Sequence, residues 1–229
     1  MSGSKNILRA LDLFCGGGGV AKGLQAAGFD VTGIDLHPQP HYCGDDFKQM
    51  DALDVGVFHH TWASEFDFIW ASPPCQAYCG MQRINTRAQK RDHPRLIEPV
   101  RDMLKSFGRP YAIENVTEAP LLDPVQLCGS MFGLGVRRHR LFECSFFLLQ
   151  PQCRHKLSAR PIAVYGDHPQ QPGDKTYRVN RARNLAEGQQ AMGIDWMPWR
   201  PLTQAIPPAY SEFVGRAAIA HIHAERQAA

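Results

Sequence analysis

An α/β fold with a mostly parallel sheet flanked by helices is what this sequence predicts. Three observations carry the prediction. Apolar runs of strand length alternate with helical segments through the first 147 residues. Several of those runs stop at Gly, Pro or an acidic residue, as strands do before a following helix. The residue types suited to chemistry sit directly after them, where open parallel sheets bind ligands.

Each element has its own reason. Ile7 to Leu13 is an apolar run that ends in a glycine cluster, and Val20 to Ala27 is a helix closed by Gly28. Phe29 to Asp35 is a second strand ending in an acid. Phe66 to Trp70 is another strand, followed by Ser-Pro-Pro-Cys. His93 to Phe107 is an amphipathic helix, Pro110 to Ile113 a strand running into Glu114 and Asn115, and Leu141 to Leu149 a late strand. Residues 150–184 change character: Pro, Gly, Gln and basic residues replace apolar periodicity, and 151–183 hold 7 Lys/Arg against 2 acids. That stretch reads as a small irregular basic module, with a disordered linker as the alternative; Val164, Tyr165, Tyr177 and Val179 could pack it. Leu185 to Met192 and Tyr210 to Arg226 are helices. The expected division is therefore 1–149, 150–184 and 185–229.

Composition excludes several classes. With 44% hydrophobic and 21% charged residues the 229-residue chain is neither disordered nor collagen-like, and no apolar run is long enough to span a bilayer. The first residues lack a secretory pattern, and seven cysteines are too sparse for a disulfide scaffold. The expectation is a cytoplasmic protein with reduced thiols and no membrane partner. Residues 1–70 carry 4 basic and 9 acidic side chains, while 71–150 carry 11 and 7. That asymmetry suits a cofactor at one end and a polyanion at the other, or solvated charge placed by chance.

The chemistry-bearing residues form two groups. Phe14 and the glycines 16–19 lie between the first strand and helix, where the backbone can approach a ligand and Phe14 offers a flat face to a nucleobase. Asp35 is placed for ribose hydroxyls, or caps a helix. In Ser72-Pro73-Pro74-Cys75-Gln76, two prolines fix the backbone and make a rigid mount for a nucleophile. Glu114, at a strand end, can share a proton with a ring nitrogen or serve as a structural partner for an arginine. Arg137, Arg138 and Arg140 follow. The stretch after Cys75 holds Arg83, Arg87, Lys90 and Arg91 with no acid before Asp92, which reads as a phosphate-binding loop or a solvated one. Cys15, Cys128 and Cys144 read as inert core residues. Cys153-x-His155 has metal-ligand character, but no second pair has convincing spacing, so no metal site is expected.

In this order the residues resemble the DNA (cytosine-5) methyltransferase family over roughly 7–149 and 185–219. Asp12 to Gly19 resembles its cofactor motif, Ser72 to Gln76 its nucleophile motif, Glu114-Asn115-Val116 its glutamate motif, and Arg138-His139-Arg140 its arginine motif. Leu202 to Tyr210 is similar to its closing motif. The resemblance implies a Rossmann-like S-adenosylmethionine-dependent methyltransferase that flips a cytosine from double-stranded DNA and attacks its C6 with Cys75. It assigns Cys75, Glu114, Arg138 and Arg140 to catalysis. It assigns Phe14, Gly16, Gly17, Gly18, Asp35, Leu36, Asp51, Ala52, Pro73 and Ala205 to the cofactor. It assigns Gln76, Arg83, Arg87, Lys90 and Arg91 to DNA, with 150–184 as a short target-recognition module. No obligate protein partner and a monomer are expected, in a bacterial or phage-infected host. Two departures stand out: Val136 replaces a usual Gln, and Gln204 to Pro208 replaces a usual Gly-Asn. The alternatives are an RNA cytosine-5 methyltransferase, a transferase using a modified S-adenosylmethionine, or an inactive DNA-binding relative.

Overall fold

The computed structural model describes residues 7–58, 60–79, 93–155, 160–171 and 180–228. Seven strands form one sheet: β1 (Leu8–Leu13), β2 (Phe29–Asp35), β3 (Asp46–Gln49), β4 (Phe68–Ala71), β5 (Tyr111–Asn115), β6 (Val125–Leu127) and β7 (Arg140–Cys144). Their order is β3-β2-β1-β4-β5-β7-β6. The first five are parallel, whereas β7 runs antiparallel to both β5 and β6. The central strands are buried on both faces, which is why β4 reads as a continuous apolar run and β1 is interrupted only by Arg9 and Asp12.

Helices cover both faces. One face carries α2 (Asp54–Phe58), α3 (His60–Ala63) and α4 (Ile97–Ser106). Ile97, Val100 and Leu104 of α4 pack with Leu11, Ile69 and Ile113 of the sheet. The spacing i, i+3, i+7 puts those α4 side chains on one face of the helix. The opposite face carries α1 (Gly19–Ala27) and α7 (Pro208–Ala228), where Val20 and Leu24 meet Tyr210, Val214 and Ala218. A third cluster joins Val136 and Val164 to Ala191 and Met192 of α5 (Leu185–Met192) and to Trp199 and Leu202 of α6 (Trp199–Gln204). Val136, where a polar residue was the family expectation, is buried in that cluster. Among the described residues, no helix is long and apolar enough to cross a membrane.

Several sequence expectations shift. The helix expected from His93 begins at Ile97, because Pro94 restricts the residue before it and supplies no N–H. The strand expected over 141–149 ends at Cys144; Phe147 and Leu149 point outward, 84% and 73% exposed. The polar edge strand β3 and the three-residue β6 had no apolar signal to announce them. In the basic module, the described residues hold a single isolated bridge, Ala163 to Arg181, and no helix or strand. It is nonetheless anchored rather than a linker, since Val164 and Ala182 are buried in the third cluster. Tyr165 is exposed beneath the Arg181 guanidinium, while Tyr177 and Val179 lie outside the described residues.

One buried ion pair fastens α4 to β7. Arg101 Nε and Nη2 each donate to a Glu143 carboxylate oxygen at 2.7 Å, Arg101 Nη2 also donates to the Pro120 carbonyl, and Leu122 N donates to Glu143. Truncating one partner strands the other's charge in the core. Glu143→Ala is therefore expected to cost about 3 kcal/mol in a denaturant titration. An Arg101→Met, Glu143→Leu pair should recover most of that loss, because no unpaired charge remains.

Candidate active site

The carboxyl ends of β1, β2, β4 and β5 converge on one cavity of about 950 Å³, near the upper end of the roughly 300–1,000 Å³ usual for ligand pockets. After β1 the chain enters a left-handed conformation at Phe14 (φ 62°), a position L-residues seldom adopt and one that turns the ring toward the cavity. Gly16 is also left-handed (φ 50°), and a Cβ built there meets no atom within 4 Å. Its bare backbone faces open cavity, a cradle suited to close approach by a ligand. Gly16 N donates to Asp35 Oδ2 at 3.0 Å, and His37 N donates to Asp35 Oδ1 at 3.0 Å, so Asp35 is fixed at the cavity wall. Asp51 is held likewise by the Leu53 N–H at 2.9 Å.

The cavity is lined by Phe14, Gly16, Gly17, Asp35, Leu36, Asp51, Ala52, Pro73 and Ala205, nine of the ten residues expected at the cofactor. Gly18 is the exception. It caps α1 in a left-handed conformation, and a Cβ there would press on Cys43 rather than point into the cavity.

On the other side, the Ser72-Pro73-Pro74-Cys75 turn is pinned at three points. Ser72 N donates to Leu13 O at 3.1 Å, Trp70 Nε1 donates to Ser72 Oγ at 2.8 Å, and the buried Asn115 Nδ2 donates to Pro73 O at 2.8 Å. The Cys75 carbonyl then accepts from Tyr78 and Cys79, closing a tight turn that leaves the Cys75 side chain half-buried on the cavity wall. Cys79 Sγ stands 3.6 Å from Cys75 Sγ; burial, and then the Cys75 thiol, push the Cys79 thiol up to about 11.

Glu114, the penultimate residue of β5, lines the same cavity and is 5% exposed. Burial raises its carboxyl above the usual range, opposed by Arg140, Arg138 and Ser72. Arg140 Nε lies 3.0 Å from Glu114 Oε1. The structural pairing of Glu114 with an arginine and its placement for chemistry are thus both present. Arg138 is left-handed (φ 36°) and donates to Thr203 O at 2.7 Å and Val164 O at 3.4 Å. Its own carbonyl accepts from the Tyr210 hydroxyl at 2.9 Å. Arg138 therefore links the arginine motif to the basic module and to α6 and α7, while Arg140 lies over Glu114.

Cys75, Glu114, Arg138, Arg140 and Gln76 all line the one cavity. Arg83, Arg87, Lys90 and Arg91 lie outside the described residues. Three contributors escaped sequence reasoning: Asn115, Tyr210 and Cys79. Asn115 was noticed only as a neighbour of Glu114, and nothing in its local pattern says that its amide reaches across to Pro73.

Asp12 is a buried anomaly beneath this site. It is fully buried, neither carboxylate oxygen accepts a well-aligned hydrogen bond among the described residues, and burial followed by the Asp35 charge raises its pKa well above the usual value, opposed by the backbone N–H of Ala21. The folded state therefore holds the Asp12 proton at pH values where the unfolded chain has released it. Wild-type stability falls as pH climbs from the unfolded pKa toward the folded one. Asp12→Asn removes that slope. Its melting temperature should gain on wild type as pH climbs above the unfolded carboxyl pKa, where the wild-type chain alone must bury a proton-holding acid.

The strand order, the reversed last inner strand and the glycine loop above β1 define the Rossmann-like fold of S-adenosylmethionine-dependent methyltransferases. Residues 8–119, just under half of the chain, match the family model for C-5 cytosine-specific DNA methylases. A type II methyltransferase, M.AgeI of Thalassovita gelatinovora, is 25% identical over 171 residues, 59% of this chain. The match spans only 38% of that relative's length. Solved structures share the fold. A prophage-encoded E. coli protein assigned as a DNA modification methyltransferase superposes with a TM-score of 0.62 at 14% identity, covering 95% of this chain and 99% of that one. Schizosaccharomyces pombe Dnmt2 gives 0.58 at 15% identity, and a Spodoptera frugiperda DNMT2 mutant 0.57 at 11%; each match covers 93% of this chain and 99% of the other.

Proposed function

We propose that the protein is a DNA (cytosine-5) methyltransferase that forms a covalent bond between Cys75 and C6 of a flipped-out cytosine. The observation that carries this reading is the meeting of two groups in one cavity: Cys75, Glu114, Arg138 and Arg140 on one wall, Phe14, Gly16, Asp35 and Asp51 on the other. The residues present fit S-adenosylmethionine. Asp35 and Asp51 keep acceptor capacity for sugar hydroxyls and a purine amino group, Leu36 and Phe14 offer apolar faces, and the bare Gly16 backbone leaves room at the wall. When bound, that cofactor supplies an electrophilic methyl group on a sulfonium.

The chain's own residues do the rest. A base inside a duplex cannot present C6 to a thiolate, so the target must leave the stack. The Cys75 thiolate adds to C6, and the electron pair displaced from the C5–C6 bond is drawn toward N3. Glu114 holds N3 and the exocyclic amino group, giving a proton to N3 as negative charge develops. Arg140 orients the base beside Glu114, and Arg138 ties the arginine motif to the basic module. Once C5 is alkylated, a general base takes its proton, the C–H electron pair re-forms the C5–C6 double bond as the C6–Sγ bond breaks to release the Cys75 thiolate, and N3 returns its proton to Glu114. Gln76 and the basic residues 83–91 would contact DNA, and the small module favours phosphate grip over a long base readout.

The test is nucleoside mass spectrometry of duplex DNA and of transfer RNA after incubation with S-adenosylmethionine. 5-Methylcytosine in DNA alone supports the reading. The same base in RNA alone replaces it with the RNA reading. No modified base in either sinks both.

A further inference from the structure

We propose that Cys128, His139, Cys153 and His155 form a Cys₂His₂ zinc site that fastens the basic module to the arginine motif. Their four ligand atoms all lie within 4.8 Å of one another. Cys128 Sγ is 3.1 Å from His155 Nε2, and Cys153 Sγ is 3.6 Å from His139 Nε2. A tetrahedral zinc with ordinary bond lengths sets sulfur–nitrogen edges of about 3.6 Å, so small side-chain adjustments suffice to close the polyhedron.

The topology explains how residues so far apart in sequence meet. β6 and β7 are antiparallel with Leu127 opposite Arg140, so Cys128 and His139 are the next facing pair past the end of the ladder. Gly129 N donating to Arg137 O at 2.7 Å continues the pairing beyond them. The chain returns after β7, and Cys153-x-His155 brings both remaining donors to the same place. Missing from the sequence reading was this second pair. It is not a short-spaced motif but the loop end of a hairpin, and Cys128, expected to be inert, is one of its members.

The surroundings suit a bound cation with two thiolates. Ser130 Oγ lies 3.2 Å from Cys128 Sγ and accepts from Arg154 N at 3.2 Å, leaving its hydroxyl proton for the sulfur. Such outer hydrogen bonds hold ligands in place. Two thiolates and two neutral imidazoles neutralise a divalent ion, so the filled site adds no net charge beside Arg137, Arg138, Arg140 and Arg154. Mixed sulfur and nitrogen donors in a tetrahedron select zinc over magnesium or calcium. Four protein donors leave no open position, so the site is structural. His139 stands between Arg138 and Arg140, and Cys153 and His155 open the basic module. The metal therefore sets the arginine loop and the module against each other, a clasp that compensates for how little regular structure the described part of the module contains.

The experiment is elemental analysis of protein grown with zinc and purified under reducing conditions, repeated after cobalt exchange. Wild type should carry one zinc per chain and, with cobalt, show the visible absorption of a tetrahedral site and a thiolate charge-transfer band. Cys153→Ser and His155→Asn, both at exposed positions, should bind zinc at least about a hundredfold more weakly while remaining folded by circular dichroism. Cys75→Ser should keep its zinc in full, which separates this site from the methyl-transfer reading. Chelation should open residues 150–184 to limited proteolysis. Zinc-free wild type, zinc retained by both exposed-ligand variants, zinc lost from Cys75→Ser, or a Cys128–Cys153 disulfide in place of the metal would each overturn the proposal.

Discussion

Cys75→Ala is expected to lose methyl transfer by roughly 10⁴-fold or more while binding S-adenosylmethionine within about twofold of wild type. The reasoning is chemical. C5 of cytosine is a weak nucleophile until a group adds at C6, and Cys75 is the thiol mounted on the prolyl turn at the cavity wall. Alanine removes the nucleophile but not the mount. The anchors of the turn are backbone atoms of Ser72, Pro73 and Cys75, together with the Ser72 hydroxyl, and none of them is the Cys75 sulfur. The cofactor wall belongs to different elements, β1, β2 and the segments that follow them. Kinetics with tritiated S-adenosylmethionine and calorimetry on the same preparation test both halves. Transfer within tenfold of wild type would refute covalent catalysis at Cys75, and Cys79, 3.6 Å away, would be the thiol to examine next.

How much of this was legible before the fold was known depends on whether the signal was local. Phe14, Asp35, Cys75 and Glu114 each follow a strand, and a parallel sheet carries all strand ends of one sense to one side. Their meeting in one cavity was therefore readable from sequence order alone. Leu185 to Met192 was readable to the residue, because Asn184 caps it through Glu187 N and Gly193 closes it. Pairings set by antiparallel register were not readable. Cys128 and His139 face each other only because β7 reverses direction, and Asn115 reaches Pro73 only because β4 and β5 are neighbours. Gly18, expected at the cofactor, does not line the cavity. Its glycine character reflects the cap of α1 and the approach of Cys43, and the sequence cannot distinguish that need from contact with a ligand.

Glu114→Gln should lower kcat by about 10²–10⁴-fold and should also change the pH profile, which separates a proton-handling role from simple packing. Glu114 is buried and its pKa is raised, so part of the population keeps the proton at pH values where an exposed glutamate is ionised. The protonated form is the one that can give N3 a proton. Wild-type kcat should therefore fall as pH rises through the Glu114 pKa, against the opposite demand of Cys75 for a thiolate. Glutamine still donates a hydrogen bond but cannot transfer a proton, so this falling limb should vanish from its profile. Stability follows the same protonation and checks the raised pKa independently of catalysis. A raised folded-state pKa means wild type loses stability as pH climbs above the unfolded value, and the glutamine variant does not. Its melting temperature should therefore gain on wild type at alkaline pH, even though Arg140 has lost its charged partner. A variant with full kcat, or one with low kcat and an unchanged falling limb, would assign Glu114 to holding Arg140 in place and nothing more.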